Sequence, residues 1–427
     1  MDVKNIPLVV SPSPTPIHHM KSKFSIGLFG LLTAASASAQ GLYYVGSEAK
    51  ESLPLKWVVG TNVIYDDNVT PGSVTGKDSS FAVNPYVGLS FVSITPQTTW
   101  DVYARLGLVY YFDQPATAGS SDANSQSRAG VNVTHRFSER LRLTSRNFIS
   151  YELEPDYSYG YASSRQLSEY FYWQTDNSLG FRWTERFATY TGFSLTGADY
   201  GDVANNDRFT WELYNQARYQ LGPQTVLTGD YRYAQTSDPQ GLGSDSTDQY
   251  ILLGVEQRFS PNTIGILRAG VQLRSVDNGD DNTSPYLELA LNSQVTQQLS
   301  VRAFSRYGIE SYDTIRSTPG GVLAEFSDRK TLRFGLASEF ALTPTTSIFG
   351  GIDYIPATFS GGNAVTGVTG PIGSYDEDIF NAYIGMSVKF NDFLTGTVSY
   401  NYTHSTSDFP NQTYNRNRIS VGLSAEF

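Results

Sequence analysis

Nine arginines that lie where apolar and polar residues alternate are the residues of this chain best placed to do chemistry. Each takes a polar position of its stretch, and three carboxylates do the same. Because successive side chains of a β-strand point to opposite faces, these charges would share one face of a sheet. Around a water-filled passage they would select solutes by charge and size, or they would pair across strands and stiffen the wall. The predicted pore-lining residues are Arg105, Arg142, Arg146, Arg218, Arg232, Arg268, Arg302, Arg306, Arg333, Glu212, Asp230 and Glu310.

Enzymatic chemistry has little support in the sequence. The chain has no cysteine, which removes disulfides, thiolate metal sites and cysteine nucleophiles. Beyond the N-terminal leader its only histidines are His135 and His404, which fall at opposite strand ends and belong to no catalytic motif. The acidic run 277–282 raises the question of calcium, but it lacks the spacing and closing glutamate of an EF-hand and fits a plain loop. The sequence therefore predicts no catalysis, no cofactor and no metal site.

The elements that carry these charges are predicted by the same alternation. The final stretch, Ile419–Phe427, has apolar residues at every second position, and long stretches repeat this pattern along most of the chain. Strands of soluble proteins usually have about five or six residues, whereas a strand tilted across a bilayer needs about 9–11. A mean hydropathy of only −0.29 beside 14% aromatic residues is typical of a barrel whose lipid-facing and lumen-facing residues alternate.

Short polar turns alternate along the chain with longer loops rich in Gly, Ser, Asp and Asn. This asymmetry is typical of barrels with short periplasmic turns and long extracellular loops. The predicted fold is all-β, a transmembrane antiparallel β-barrel of about 18 strands, with 16–18 as the expected range. An even number of strands puts both chain ends on the periplasmic side. The long loops are 113–125, 155–166, 237–247, 313–326 and 359–376.

Two other folds share parts of this pattern. The short turns recur about every forty residues, a spacing that β-propeller blades also show. A blade needs four short strands, however, and each repeat here holds two long ones. A soluble β-sandwich would show the same alternation with its charges facing water, but the strand lengths and the N-terminal segment favour the barrel.

The N-terminal segment has the pattern of a cleavable secretory signal. Lys21 and Lys23 form a basic region, residues 24–35 an apolar run, and Ala37–Ala39 an A-x-A cleavage site. Cleavage after Ala39 is predicted, with Met20 as the true start, and an N-terminal membrane anchor is the alternative. The predicted domains are a leader and signal peptide at 1–39, a short periplasmic segment at 40–54 and the barrel at 55–427.

Cleavage also changes the charge of the chain. It lowers the number of basic residues from 30 to 27 and of acidic residues from 41 to 40, because Asp2, Lys4, Lys21 and Lys23 are removed. The resulting net charge of −13 disfavours nucleic-acid binding, which relies on contacts between basic side chains and phosphates. The expected partner is instead the lipid bilayer.

Aromatic residues fall near the ends of predicted strands. Amphipathic rings favour the headgroup level of a bilayer, so these residues are expected to form interfacial girdles. The β-propensity of Tyr and Phe would explain their abundance but not their placement. The predicted periplasmic-side aromatics are Trp57, Trp100, Phe137, Trp183, Phe259, Phe340, Phe390 and Phe427.

The signal peptide, the paired long strands and the terminal Phe427 together resemble Gram-negative outer-membrane β-barrel porins. The segment Tyr65–Val69 is similar to an early tyrosine-aspartate-x-asparagine motif of the β-barrel porin 2 family. The resemblance implies a place in the cell outer membrane and recognition of the strand ending in Phe427 by the barrel assembly machinery. It also implies passive diffusion of small hydrophilic solutes, without enzyme activity. A homotrimer is an assembly that this resemblance allows.

Three functions remain open at the level of the sequence. A porin would have its passage narrowed by an inward-folding Gly-rich loop, either 359–376 or 313–326. An exopolysaccharide export pore would use lumen tyrosines and arginines to let sugars slide. A plugged structural or adhesive barrel would present its loops outside the cell. The sequence does not fix the solute, the direction of transport or the oligomeric state.

Overall fold

The computed structural model of the protein describes residues 52–69, 71, 78–113, 123–153, 169–200, 207–239, 244–277, 279–311, 314–365 and 372–427. Within these ranges the chain consists of β-strands joined by turns and loops. The predicted leader, its cleavage site and most of the predicted periplasmic segment lie outside the described residues. No helix within the described ranges is long and apolar enough to cross a membrane.

The described residues form twenty strands, of which two are three-residue pieces. The piece β4 is separated from β5 by Gln126, and β15 follows β14 after residues 310–314, so the described wall has eighteen strands. The strands are β1 Leu53–Asp66, β2 Ser80–Ile94, β3 Thr98–Tyr111, β4 Ala123–Ser125, β5 Ser127–Arg136, β6 Leu141–Glu152, β7 Tyr170–Arg182, β8 Phe187–Tyr200, β9 Arg208–Gly222, β10 Thr225–Ser237, β11 Ser246–Ser260, β12 Thr263–Val276, β13 Asn282–Gln294, β14 Leu299–Ile309, β15 Ile315–Ser317, β16 Leu323–Thr343, β17 Thr346–Ala364, β18 Tyr375–Lys389, β19 Leu394–Ser407 and β20 Tyr414–Glu426.

Each wall strand pairs antiparallel with its neighbour, and the sheet closes on itself where β1 pairs with β20. The register at this closure runs from Val58 opposite Glu426 to Asp66 opposite Arg418. A closed sheet has no edge with unpaired backbone groups, which is the condition for a sheet surrounded by hydrocarbon. The predicted fold, an all-β antiparallel barrel of about 18 strands, is confirmed. The first strand begins at Leu53, two residues before the predicted start of the barrel.

The two rims of the barrel differ in the length of their connections. At one rim the described strands are joined by turns of two to four residues, such as 223–224 and 390–393. The connections at the other rim are longer, and parts of several lie outside the described residues. Both ends of the barrel chain lie at the short-turn rim, where Trp57 and Phe427 exchange backbone hydrogen bonds of 3.0 and 2.8 Å.

Strands β12 and β13 illustrate how alternation divides the wall into two faces. Leu267 lies opposite Leu289, and both side chains are exposed on the outside of the barrel. The neighbouring pair, Arg268 and Glu288, is buried on the inside. An exposed apolar exterior around a buried polar interior reverses the arrangement of a soluble domain, and it is typical of a barrel that sits in lipid.

The aromatic residues predicted to lie at a membrane interface all have exposed side chains, from 38% for Phe340 to 71% for Phe427. They lie in or beside the strand ends at the short-turn rim, for example Phe137 after β5 and Trp183 after β7. This position is the one that a girdle on that side would require. Their role at a membrane interface stays a prediction.

Side chains as well as backbone hold β1 against β20. The Arg416 Nε lies 2.9 Å from an Asp66 carboxylate oxygen, and both side chains are almost fully buried. Lys56 and Glu426 form a second ion pair at the opposite end of the same seam. The seam therefore has a charged contact near each end, where strand closure has to be fixed in register.

Candidate functional site

The predicted pore-lining residues all lie on inward-facing positions of the wall. All of them lie within a strand except Glu310, which follows directly after β14. Three of the arginines, Arg232, Arg268 and Arg333, are buried, while the other six are half-buried. Asp230 and Glu310 are buried, and Glu212 is half-buried. These residues therefore face inward, as the alternation predicts. That they line a passage for solutes is a separate proposal.

Four of these residues form a network with two neighbouring glutamates. We name it the β9–β13 charge cluster, and it consists of Arg218, Asp230, Arg232, Arg268, Glu256 and Glu288. Glu288 is its centre, with Arg232 Nη1 at 2.9 Å, Arg268 Nη1 at 3.2 Å and the Tyr286 hydroxyl donating at 2.7 Å. The side chains of Arg268 and Glu288 have no exposed surface. The cluster has as many arginines as carboxylates, so it rigidifies one wall of the barrel without adding net charge.

The rest of the cluster extends from Arg268 along the same wall. Arg268 also lies 3.6 Å from Asp230 and 3.9 Å from Glu256. Arg218 donates to Glu256 at 2.6 Å, and the Gln216 side chain donates to Asp230 at 2.6 Å. The direct opposition of Arg268 and Glu288 in the β12–β13 register explains why the cluster centres there.

A second charged group surrounds Glu310, and here the charges do not balance. Arg333 donates to Glu310 at 2.6 and 2.9 Å, while Arg306 and Arg329 lie at 2.8 and 3.3 Å from its carboxylate oxygens. Three guanidinium groups thus face one carboxylate. Of these three, Arg306 keeps the most exposed side chain, at 25%.

The hairpin formed by β15 and the start of β16, residues 314–328, leans into the barrel. The Arg208 side chain, at the first residue of β9, donates to the Ser311 carbonyl at 3.3 Å and to the Thr314 hydroxyl at 3.2 Å. Strands β9 and β14 are five neighbours apart along a wall whose strands are spaced about 4.8 Å. A contact over that separation requires the hairpin to bend inward. We name residues 314–328 the inward hairpin.

Further contacts fix the inward hairpin to the wall. Arg274 on β12 donates to the Ser327 carbonyl at 3.2 Å and pairs with Asp248 on β11 at 2.8 Å. Ser244, just before β11, donates its backbone N–H to Glu325 at 2.5 Å. The described part of the predicted loop 313–326 therefore does fold inward. Of the other predicted loop, 359–376, residues 366–371 lie outside the described residues.

An aromatic cluster holds the opposite side of the same hairpin. The ring of Phe326 packs edge-on against Phe359 and Phe409 with ring centroids 5.6 and 5.7 Å apart. Phe409 in turn stacks on Tyr375 at 4.9 Å, and the Arg316 guanidinium lies 5.3 Å from the Phe359 ring centre. The hairpin is thus held by ionic contacts on one side and by buried rings on the other.

The wall from β17 through β20 to β3 has a different lining, with amide side chains in place of most charges. Asn381 donates to Asp353 at 3.1 Å, and Asn401 donates to Asn381 at 2.8 Å. Across the seam, Asn84 accepts from Asn62 at 3.3 Å and from Arg105 at 3.1 Å. We name these residues, with Arg418 beside Asn401, the amide ladder. Four of its seven side chains are neutral amides, which both donate and accept hydrogen bonds.

Sequence reasoning missed several inward residues that the structure places in these networks. Most share the strand parity of residues that it did select, such as Arg274 six residues after Arg268. That parity was a sufficient signal for them. Ser311 has no such signal, because it lies in the irregular segment between β14 and β15. The missed residues are Arg128, Arg208, Arg274, Arg329, Arg416, Asp66, Asp248, Asn84, Asn381, Asn401 and Ser311.

The two histidines considered for catalysis lie on different strands. His135 on β5 contacts the Thr98 hydroxyl at 2.8 Å near the short-turn rim. His404 on β19 contacts Asn415 at 2.8 Å and Thr406 at 3.0 Å near the other rim. Within the described ranges no three His, Cys, Asp or Glu side chains are grouped so as to hold a metal ion.

No protein-family model matches the chain, and no curated protein matches it. The resemblance to the β-barrel porin 2 family therefore stays a prediction. Among solved structures, the chain is similar to OccAB4 of Acinetobacter baumannii, with 12% identity, a TM-score of 0.42, and 88% of this chain and 99% of that one covered.

Two further solved structures show similarity of the same order. The outer membrane protein OpdK of Pseudomonas aeruginosa has 12% identity and a TM-score of 0.43, with 87% of this chain and 99% of that one covered. The siderophore receptor PirA of the same organism has 9% identity and a TM-score of 0.39, with 89% and 81% covered. At these TM-scores the similarities do not establish a shared function.

Proposed function

We propose that this chain is an outer-membrane porin that lets small hydrophilic solutes diffuse passively through its lumen. The observation that carries the proposal is the reversed arrangement of the barrel, with charged and amide side chains inside and an apolar exterior. In barrels of about eight strands the wall side chains fill the interior, whereas barrels of 16–18 strands enclose more space and commonly hold water. No cofactor or catalytic group is part of the proposal.

The solute path is proposed to follow the amide ladder and the half-buried arginines near it. The β9–β13 charge cluster is internally paired and, apart from the half-buried Arg218, buried, so its charges are poorly placed to meet a solute. The amide ladder offers neutral donors and acceptors beside Arg105 and Arg418, which suits hydroxylated or weakly anionic solutes. The inward hairpin would then narrow the passage from its extracellular side.

A plugged barrel is the second candidate, and the inward hairpin is the observation that favours it. The hairpin is fixed on both of its sides, by Arg208 and Arg274 on one and by Phe359 and Phe409 on the other. A hairpin so firmly held could close the lumen and leave the loops to act as a surface scaffold. Measurement of conductance separates the two candidates.

The test is single-channel recording in a planar bilayer under a salt gradient, with the refolded chain of residues 40–427. Stable current steps with a measurable reversal potential are expected for a porin. Heat-modifiable migration on gels shows whether the barrel is folded. A folded barrel that stays electrically silent would support the plugged scaffold and refute the porin.

Replacement of Arg105 by glutamine is expected to shift the reversal potential toward cations, because the path loses a positive charge beside Asn84 and Tyr86. The Arg105 guanidinium lies 3.8 Å from the Tyr86 ring centre and is half-buried, so part of its charge faces the lumen. The control is Arg140→Gln, which removes the same charge from an exposed turn at the rim. Equal reversal potentials for wild type and R105Q would refute a path along the amide ladder.

Insertion in the outer membrane is proposed to depend on the last strand, whose outward apolar residues end in Phe427. Phe427→Ala, which keeps the backbone hydrogen bonds to Trp57, is expected to lower the amount of barrel in the outer-membrane fraction of cells while refolding into detergent micelles proceeds. The reason is that an assembly factor would read the terminal aromatic, whereas the register of β20 is fixed by earlier residues. The control is Phe390→Leu, which changes an exposed aromatic at the same rim. An unchanged outer-membrane amount would argue against recognition through Phe427.

A further inference from the structure

The outer face of β6 to β9 carries six polar side chains close together, three of them asparagines, whereas the outward mid-strand positions of the other described strands are mostly apolar. They are hydroxyl and amide groups, and they lie near the middle of their strands. On β7, for example, Thr175 and Asn177 separate Phe171 and Trp173 from Leu179 and Phe181. We name this set the β6–β9 amide patch. Its members are Ser145, Asn147, Thr175, Asn177, Thr191 and Asn215.

The register confirms that these side chains point outward together. Ser145 lies opposite Asn177, and Asn147 lies opposite Thr175. Thr191 lies opposite Asn215 on the next strand pair. Their neighbours of the same parity are exposed apolar side chains, including Ile149, Leu179, Phe193 and Leu213. The patch is therefore a group of polar side chains with exposed apolar side chains around it.

The members bond to one another but keep unused capacity. The Ser145 hydroxyl donates to Asn177, the Asn177 amide to Thr175 and the Thr175 hydroxyl to Asn147, each at 2.7 Å. The Asn215 amide donates to Thr191 at 2.6 Å. The Asn147 amide also donates to Ser145 at 3.1 Å and to the Val131 carbonyl at 3.4 Å. A primary amide offers two donors and one two-fold acceptor, so the exposed Asn215 has capacity beyond its bond to Thr191 among the described residues.

Hydrocarbon chains offer no partner for this remaining capacity, and unsatisfied polar groups are costly there. Elsewhere in the described exterior most outward mid-strand positions are apolar, as with Val63, Val87 and Leu106. The exceptions are single hydroxyls, such as Thr61 on β1 and Ser305 on β14. Outward amides such as Asn415 and Asn417 lie instead near the long-loop end of β20. The patch thus places polar side chains at a depth where lipid offers them no hydrogen-bond partner, which is unfavourable for a barrel surrounded by lipid alone.

We propose that the β6–β9 amide patch is the contact surface between copies of this chain in the membrane. This inference rests on the membrane location in the proposed function. Copies inserted in one orientation bring the same patch to the same depth, so a two-fold axis along the membrane normal places patch against patch. Asparagine amides are self-complementary, since each donates and accepts, and hydrogen bonds between polar side chains hold membrane segments together.

The first experiment compares the oligomeric state of wild type with a triple variant, N147L/N177L/N215L, extracted from outer membranes in mild detergent. Native mass measurement is expected to find an oligomer for wild type and a monomer for the variant, with both barrels folded. The control is S305L/S338L, which removes outward hydroxyls on β14 and β16, outside the patch. A monomeric wild type, or an oligomer that persists in the triple variant, would overturn the proposal.

A second measurement maps the contact directly and uses the absence of cysteine from the chain. Asn215→Cys is expected to give a cross-link between two copies on oxidation in the membrane. Leu253→Cys, at a 75% exposed apolar site on β11, is expected to stay monomeric. A cross-link at residue 253 but not at 215 would refute the proposed surface. Neither measurement depends on conductance, so a silent barrel would refute the porin and leave this test intact.

Discussion

Replacement of Glu288 by glutamine is expected to lower the free energy of unfolding by about 3–5 kcal/mol, the cost of breaking a buried charge pair from one side. The glutamine keeps the shape of the side chain but removes the charge that faces Arg232 at 2.9 Å and Arg268 at 3.2 Å. Both guanidinium groups would remain buried with a deficit of negative charge. Denaturant titration of the barrel in lipid or detergent, followed by tryptophan fluorescence, measures the effect.

The matched control is Glu139→Gln, which also removes a glutamate beside an arginine. Glu139 lies 3.9 Å from Arg182 and its side chain is 95% exposed, so solvent already screens the pair. We expect no measurable change for this variant. If E288Q and E139Q unfolded at the same denaturant concentration as wild type, the β9–β13 charge cluster would not contribute to stability.

Removal of residues 315–325 from the inward hairpin, with the chain rejoined by a short turn, is expected to raise single-channel conductance severalfold. The removed segment joins Thr314, which contacts Arg208, to Ser327, which contacts Arg274, so its loss takes away the chain between two inward contacts and would widen the extracellular half of the lumen. A plugged barrel would change from silent to conducting, whereas a porin would change from a narrow to a wide passage. Planar-bilayer recording at fixed salt measures either result.

Pro319→Ala is the control for this deletion, because Pro319 lies in the exposed tip of the same hairpin. Its conductance is expected to equal that of wild type. Folding of the shortened barrel is checked separately by heat-modifiable migration on gels. A folded deletion variant with unchanged conductance would show that the hairpin does not narrow the passage.

Local patterning was sufficient to predict the strands and the direction of their side chains. On β3 the prediction that Arg105 faces inward implies by alternation that Leu106 and Leu108 face outward and that Val109 and Tyr111 face inward. Leu106 and Leu108 are exposed, and Val109 and Tyr111 are buried. This succeeds because period-two alternation belongs to a single strand and needs no knowledge of its partner. The strand number followed from the same property, since each apolar-polar stretch and each turn can be counted along the chain.

Alternation within single strands does not predict which side chains of different strands come into contact. The pairing of Arg268 with Glu288 depends on the register between β12 and β13, which a single strand does not encode. The position of the inward hairpin depends on Arg208, about a hundred residues before Ser311. Composition had indicated an inward loop at 313–326 or 359–376, but only the fold shows which contacts hold it.

The β6–β9 amide patch shows a different kind of failure. Charged residues alone do not reveal the patch, because no Asp, Glu, Lys or Arg stands among its six positions. Asn147 and Asn177 interrupt the apolar alternation of β6 and β7, and that interruption is visible in the sequence. Amides therefore have to be weighed beside charges when the outer face of a barrel is assigned.

Closure of the barrel also sets an order of events in folding. Within the described chain, strand pairs along the wall join sequence neighbours, except at the seam, where Asp66 and Arg416 are 350 residues apart. Neighbouring strands close short loops at small entropic cost, whereas the strands paired at the seam have the largest sequence separation among the described strand pairs. Hairpins can accumulate while the chain arrives, but β1 must keep its edge unpaired until the last strand is present. The newly made chain is therefore exposed to edge-to-edge aggregation for the whole of that interval.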